Sequence, residues 1–88
     1  MVYGVYSVLD VNMGYSVPAI QENDAVAMRL FENGCIDKHS IWYTHSSDFC
    51  LMRIGTFDTN TGELVAESPT KLCNAFDFVS TLKMKEND

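Results

Sequence analysis

Cys35, His39, His45 and Cys50 form the string C-x3-H-x5-H-x4-C, built from donor atoms that zinc accepts. Structural zinc sites usually begin with two close cysteines in a tight knuckle, and this string has none. Its spacing argues for two loop histidines and two buried thiols. His45, Ser46, Ser47 and Asp48 supply the residue types of a hydrolase. A nucleophile, its base and the orienting acid must converge in space, which sequence neighbours rarely do, and no G-x-S-x-G elbow exposes either serine. Asp58-Thr59-Asn60-Thr61-Gly62 opens like a calcium loop, but Gly62 comes one place early and Pro69 stands where the closing glutamate belongs. It reads as a turn. The expectation is a protein that is not an enzyme, with no catalytic residues, no metal and no cofactor.

Contact with nucleic acid is the remaining chemistry. Single-strand binders combine exposed rings with a cationic groove, and the chain has four Tyr, five Phe and one Trp. Its cations, Arg29, Lys38, Arg53, Lys71, Lys83 and Lys85, are scattered along the sequence. Arg53 lies in an apolar stretch between Met52 and Ile54, where a guanidinium needs a partner. An ion pair with a carboxylate of a neighbouring strand or helix explains it more simply than a phosphate does.

Twelve carboxylates against six Lys and Arg leave a formal charge of −6, the wrong sign for bulk attraction to polyphosphate. Apolar residues make up 47% and charged residues 20% of the 88, a globular balance sufficient for one domain. No apolar run approaches the ~20 residues that span a bilayer, and the N-terminus has no basic segment of a secretion signal. Three widely spaced cysteines, an odd number without a C-x-x-C pair, fit a reducing compartment.

The elements that must position these residues follow from periodicity. Residues 1–10 are apolar on both alternating faces, as an inner strand is. Asn23 can cap a helix from Asp24 to Asn33, whose Ala27, Leu30 and Phe31 share one face and whose end is expected at Asn33-Gly34. Residues 35–48 read as a long loop with one buried anchor. Phe49–Phe57 and Glu63–Glu67 read as a hairpin, with Asp58 bonding forward into the turn and Gly62 at positive φ. Ser68-Pro69 is expected to end the second strand. Residues 70–84 alternate as a strand through Phe76, Phe78 and Leu82, yet Phe78, Val79 and Leu82 also fit a helical face. Residues 1–82 thus make one domain and residues 83–88 a solvated tail.

The segments Asn23-Asp24-Ala25-Val26-Ala27-Met28-Arg29-Leu30-Phe31 and Asp48-Phe49-Cys50-Leu51-Met52-Arg53-Ile54-Gly55-Thr56-Phe57-Asp58-Thr59-Asn60-Thr61-Gly62 carry a resemblance. They match the N-D-x-x-A-x-R-x-F and D-[FY]-x-L-x-x-I-G-x-[FY]-D-x-x-T-G patterns of the small nonstructural protein of gokushovirus-type microviruses, bacteriophages with single-stranded DNA genomes. The resemblance covers the chain from about Pro18 to Phe78. It departs most over residues 33–46, where an Asn/Asp-Pro-rich loop is usual. It implies a protein of the host bacterial cytoplasm, absent from the mature virion, that serves the switch from duplex replication to single-strand synthesis and packaging.

The fold expected is α+β: a small antiparallel sheet with a β-α-β-β start and one short helix packed on one face. Its second face would be open, and the two-sided apolarity of the first strand predicts a homo-oligomer, most simply a dimer. Tyr3, Tyr6, Tyr15, Trp42, Phe76 and Phe78 are the interface candidates. Two modes of action follow. The reading placed first is an oligomer that gathers Arg29, Lys38, Arg53 and Lys71 into a strip for single-stranded DNA; the alternative is an acidic surface that docks on a phage or host replication or packaging protein without touching DNA.

Overall fold

The computed structural model describes residues 1–86. Nine apolar-rich residues form the central strand β1 (Val2–Asp10), whose outer edge is covered in two pieces by β2 (Gly14–Tyr15) and β3 (Ala19–Gln21). Helix α1 (Asp24–Cys35), the single turn α2 (Ile41–Thr44) and a 3-10 turn (Ser46–Asp48) follow. The chain then returns as β4 (Phe49–Asp58) and β5 (Leu64–Asn74) and closes with α3 (Ala75–Glu86). All pairings are antiparallel, in the order β2-β1-β4-β5 with β3 also on β1. This is the expected α+β class, with three helical pieces (α2, the 3-10 turn and α3) beyond the one helix expected.

Helix α1 begins as its residues dictate: the Asn23 side chain accepts from Val26 N at 2.9 Å and Asp24 sits in the first turn, where the helix dipole favours a carboxylate. It runs past Gly34 to Cys35, because the glycine is used for packing and not for a left-handed cap. A Cβ on Gly34 would come within 2.6 Å of the Trp42 ring, and only Gly14 and Gly62 take positive φ. Ser40 caps α2 by accepting from Trp42 N, which turns the indole back onto α1. The segment expected as a loop is therefore a short helix and a 3-10 turn around one aromatic anchor.

Ala27, Phe31 and Cys35, one helical face of α1, meet Tyr6, Phe49 and Leu51 of the sheet and Ala75 and Val79 of α3. Phe31 is the centre, 5.0 Å from the Trp42 ring and 6.3 Å from that of Phe78. The ambiguous segment resolves on both sides of Asn74. The strand continues to that residue, and from Ala75 the 3.6-residue period puts Val79 in the core with Phe78 and Leu82 half-buried. α3 carries Lys83 and Lys85 as its last turn, where cations suit the dipole, so the expected tail is helical up to Glu86; Asn87 and Asp88 lie outside the described residues.

The hairpin turn is as its residues imply. Asp58 accepts from Asn60 N through its carboxylate and from Gly62 N through its carbonyl, and Gly62 has φ 75°. Ser68-Pro69 does not end β5, contrary to expectation. It sits where Glu67, Ser68 and Pro69 stand against the single residue Ile54, a bulge on an edge strand, and there a missing N–H leaves no ladder bond unmade.

Register divides the sheet residues between two faces, since directly paired residues of an antiparallel sheet point the same way. Tyr6, Val8 and Leu51 look toward the helices. The opposite face consists of four rows: Tyr3 with Phe57 and Leu64, Ile20 with Val5, Gly55 and Ala66, Ser7 with Met52 and Lys71, and Tyr15 with Leu9, Cys50 and Asn74. The helical core lies entirely on the other side.

Candidate functional site

Arg53 is the best-connected polar side chain. Its Nη1 donates to Asp24 Oδ1 at 3.2 Å and its Nε to Glu67 Oε1 at 3.1 Å, so a residue of β4 ties the start of α1 to the bulge of β5. Tyr6 completes the group from β1, its hydroxyl donating to the same Asp24 oxygen at 2.6 Å. Gly4 makes room for that ring, which lies where a Cβ would be. Burial, then the bond to Asp24, pushes the Tyr6 phenol up to about 12. The guanidinium is a third exposed and faces two carboxylates. The cluster is an ion-paired clasp, as the sequence reading of Arg53 anticipated.

Removing Asp24 strips the clasp of its shared acceptor. Asp24→Ala is expected to cost about 2 kcal/mol, most of it from the hydroxyl of nearly buried Tyr6 left without a partner and less than 1 kcal/mol from the half-exposed ion pair. Urea midpoints of Asp24→Ala, Tyr6→Phe and the double variant check this. A double variant no less stable than Asp24→Ala is expected; fully additive losses would contradict a shared bond.

The four candidate DNA contacts do not share a face. Arg53 points to the helix side within its clasp, whereas Lys71 pairs with Met52 and points to the bare side. Arg29 stands on the outer surface of α1 and Lys38 in the exposed α1–α2 turn. Lys83 lies 5.4 Å from the centre of the Tyr43 ring. The six interface candidates divide similarly. Tyr6, 3% exposed, is core, while Trp42 and Phe78 pack against it. Tyr3 and Tyr15 stand on the bare face, and Phe76 is exposed at the start of α3.

The C-x3-H-x5-H-x4-C residues are dispersed. Cys35 is sealed in the helical core, Cys50 is buried on the helix-free side of the sheet, and His39 and His45 are exposed. Among the described residues no three His, Cys, Asp or Glu side chains are grouped to hold a metal ion. His45 Nδ1 lies 2.9 Å from Thr44 Oγ1, the one hydrogen-bond partner of the ring among those described. Burial first, then the neighbouring thiol and Glu32, raises Cys35 to about 12, and burial with Asp77 raises Cys73 to about 11. These thiols are protonated and unreactive at neutral pH.

What sequence reasoning missed is the make-up of the helix-free face, where buried Val5, Cys50 and Met52 lie among Leu9, Ile20 and Leu64 as well as the aromatics Tyr3, Tyr15 and Phe57. Alternation of Phe49 and Leu51 with Cys50 and Met52 was the available signal. No described helix is long and apolar enough to cross a membrane.

Searches of curated proteins and of solved structures find no match. The family model described as "Phage ORF5 protein" matches residues 3–78, which takes in the sheet from Tyr3 onward, the clasp and the helical core as far as Phe78. The chain therefore belongs to the phage ORF5 protein family.

Proposed function

We propose that this phage protein is a non-enzymatic, nonstructural accessory factor in single-stranded DNA genome replication and packaging, working in the host cytoplasm by docking its acidic surface on a basic replication or packaging protein. The observation that carries the mode of action is the dispersal of the cations. Of the two candidate contacts rooted in the sheet, Arg53 is held by Asp24 and Glu67, and Lys71 lies on the opposite face from it. A strand of DNA following the helix-free face would meet Lys71 alone of the four candidate cations, at a net charge of −6. The same charge steers a basic protein toward the exposed Glu22, Glu32, Asp37 and Asp77. The stage of action comes from the microvirus resemblance and is supported by membership of a phage family.

Fluorescence anisotropy provides the test at about 50 mM salt, where electrostatic attraction is strong. A labelled strand of ~40 nucleotides is expected to show no binding, and a labelled Lys/Arg-rich 20-residue peptide is expected to bind and to be released by salt. Salt-sensitive binding of the strand, weakened by Arg53→Ala or Lys71→Ala in a folded protein, would overturn the reading in favour of direct DNA contact.

A further inference from the structure

We propose that the outer edge of β5 is where the basic partner docks, by adding an extended segment of alternating Lys/Arg and apolar residues as a further antiparallel strand. The acidic-surface docking proposed above is its premise. β5 stands at the end of the sheet and pairs with β4 alone among the described residues. Every residue of 64–71 is exposed, Leu64 at 66% and Val65 at 43%. The opposite edge offers no such length, since it is made of strands of two and three residues.

The backbone of 63–67 is arranged to receive a strand. Asp58 N donates to Glu63 O at 3.0 Å, which makes these two a hydrogen-bonded pair, and such pairs alternate along an antiparallel ladder. Thr56 and Val65 are the next of that kind, and the Val65 carbonyl fills the space that a Cβ on Gly55 would need. Leu64 and Ala66, opposite Phe57 and Gly55, therefore turn their N–H and C=O groups outward. Those donors and acceptors are what strand addition uses. Beyond them the bulge at Ser68-Pro69 breaks the register, and Pro69 has no N–H to give. The added strand is short for that reason.

Charge selects the occupant. Residues 54–70 carry Asp58, Glu63 and Glu67 and no Lys or Arg. The cations that bound this stretch stand elsewhere, Arg53 in its clasp and Lys71 past the bulge. Asp58 lies 4.0 Å from the amino group of Met1, which leaves Glu63 and Glu67 for a partner. Alternation turns both toward the helix side together with Val65, and turns Leu64 and Ala66 to the helix-free side. Glu67 keeps 41% of its side chain exposed despite its bond to Arg53, and Glu63 is exposed. Charge is a usual protection of sheet edges against one another. Two β5 edges laid antiparallel, Leu64 against Ala66, would set Glu63 of each copy directly opposite Glu67 of the other, so a second copy is the wrong strand. A segment with Lys or Arg at alternate positions meets those carboxylates as ion-pair partners, while its apolar residues stand opposite Leu64 and Ala66 and exchange backbone bonds with them. The net charge of −6 attracts such a segment, and the edge fixes its register.

A fluorescent Lys-Val-Lys-Val-Lys-Val-Lys peptide, read by anisotropy at about 50 mM salt with protein up to about 0.5 mM, supplies the test. It is expected to bind. Methylating the backbone nitrogens of its Val residues, which face the edge, should abolish binding, whereas methylating those of its Lys residues should leave it intact. On the protein, Glu63→Gln should weaken the peptide about three- to fivefold. Asn33→Lys, on the exposed side of α1, makes the same change in net charge and should have less than about a twofold effect. Binding that survives methylation of the Val residues, or that falls equally with either set, would overturn the proposal, and so would an Asn33→Lys loss as large as that of Glu63→Gln. If this peptide fails to bind while the Lys/Arg-rich 20-residue peptide succeeds, the edge is not the docking site and the acidic-surface reading stands. If neither binds, both fall.

Discussion

Raising the pH from 8 to 10.5 in the presence of a reductant is expected to remove about 3 kcal/mol of folding stability. Cys35, fully enclosed between α1 and α3, ionises near 12, and Cys73 beside it near 11, against the ordinary value of 9.0. Both folded values are raised, so the native state keeps its thiol protons while the unfolded chain releases them above pH 9. Stability is complete below that value and declines through the alkaline range. Each pH unit above 9 costs about 1.4 kcal/mol per fully shifted thiol; half-buried Cys73 contributes less than Cys35. Tyr6, raised to about 12 from 10.0, adds to the loss only above pH 10. Urea midpoints at the two pH values measure the effect, and Cys35→Ala should flatten the dependence by more than half. Midpoints that do not fall with pH would mean that these thiols are solvated.

Phe31→Ala is expected to cost about 4 kcal/mol, the range for deleting a buried ring. The side chain is 3% exposed and joins all three helices to the sheet: it sits on α1, stacks tilted on Trp42 and meets Phe78 edge-on. Small domains have roughly 0.05–0.15 kcal/mol of stability per residue, so the variant should be largely unfolded near 37 °C. Thermal denaturation followed at the Trp42 fluorescence checks it, with Phe31→Leu as the milder comparison. A loss below 1 kcal/mol for Phe31→Ala would show that the aromatic cluster does not organise the core.

Where a structural decision is local, the sequence announces it. Asn23 caps α1 because a short amide at that position satisfies an N–H three residues on, and Asp58 with Gly62 closes the hairpin by bonds inside one turn. Decisions made by distant residues were hidden. Gly34 looked like a helix end, yet what decides its role is the indole of Trp42, which needs the space a side chain would fill. Pro69 looked like a strand end, yet it lies on the outer edge of the sheet, which is known only once β5 pairs on one side alone. The candidate site follows the same division. That Arg53 needs a carboxylate is visible in its apolar surroundings, but which carboxylates answer depends on α1 crossing the sheet at Asp24. Lys71 falls on the face opposite Arg53 because β5 has irregularities at two places, between the partners of Leu51 and Met52 and between those of Arg53 and Gly55. A one-residue slip reverses a side chain's face, and nothing in the local pattern announces either irregularity.

The proposed function requires this phage ORF5 protein to act through protein contacts and not through DNA. Sedimentation equilibrium at about 100 µM, alone and with an equimolar ~40-nucleotide strand at about 50 mM salt, tests that directly. The predicted result is a protein distribution unchanged by the strand. Protein that cosediments with the strand would contradict it.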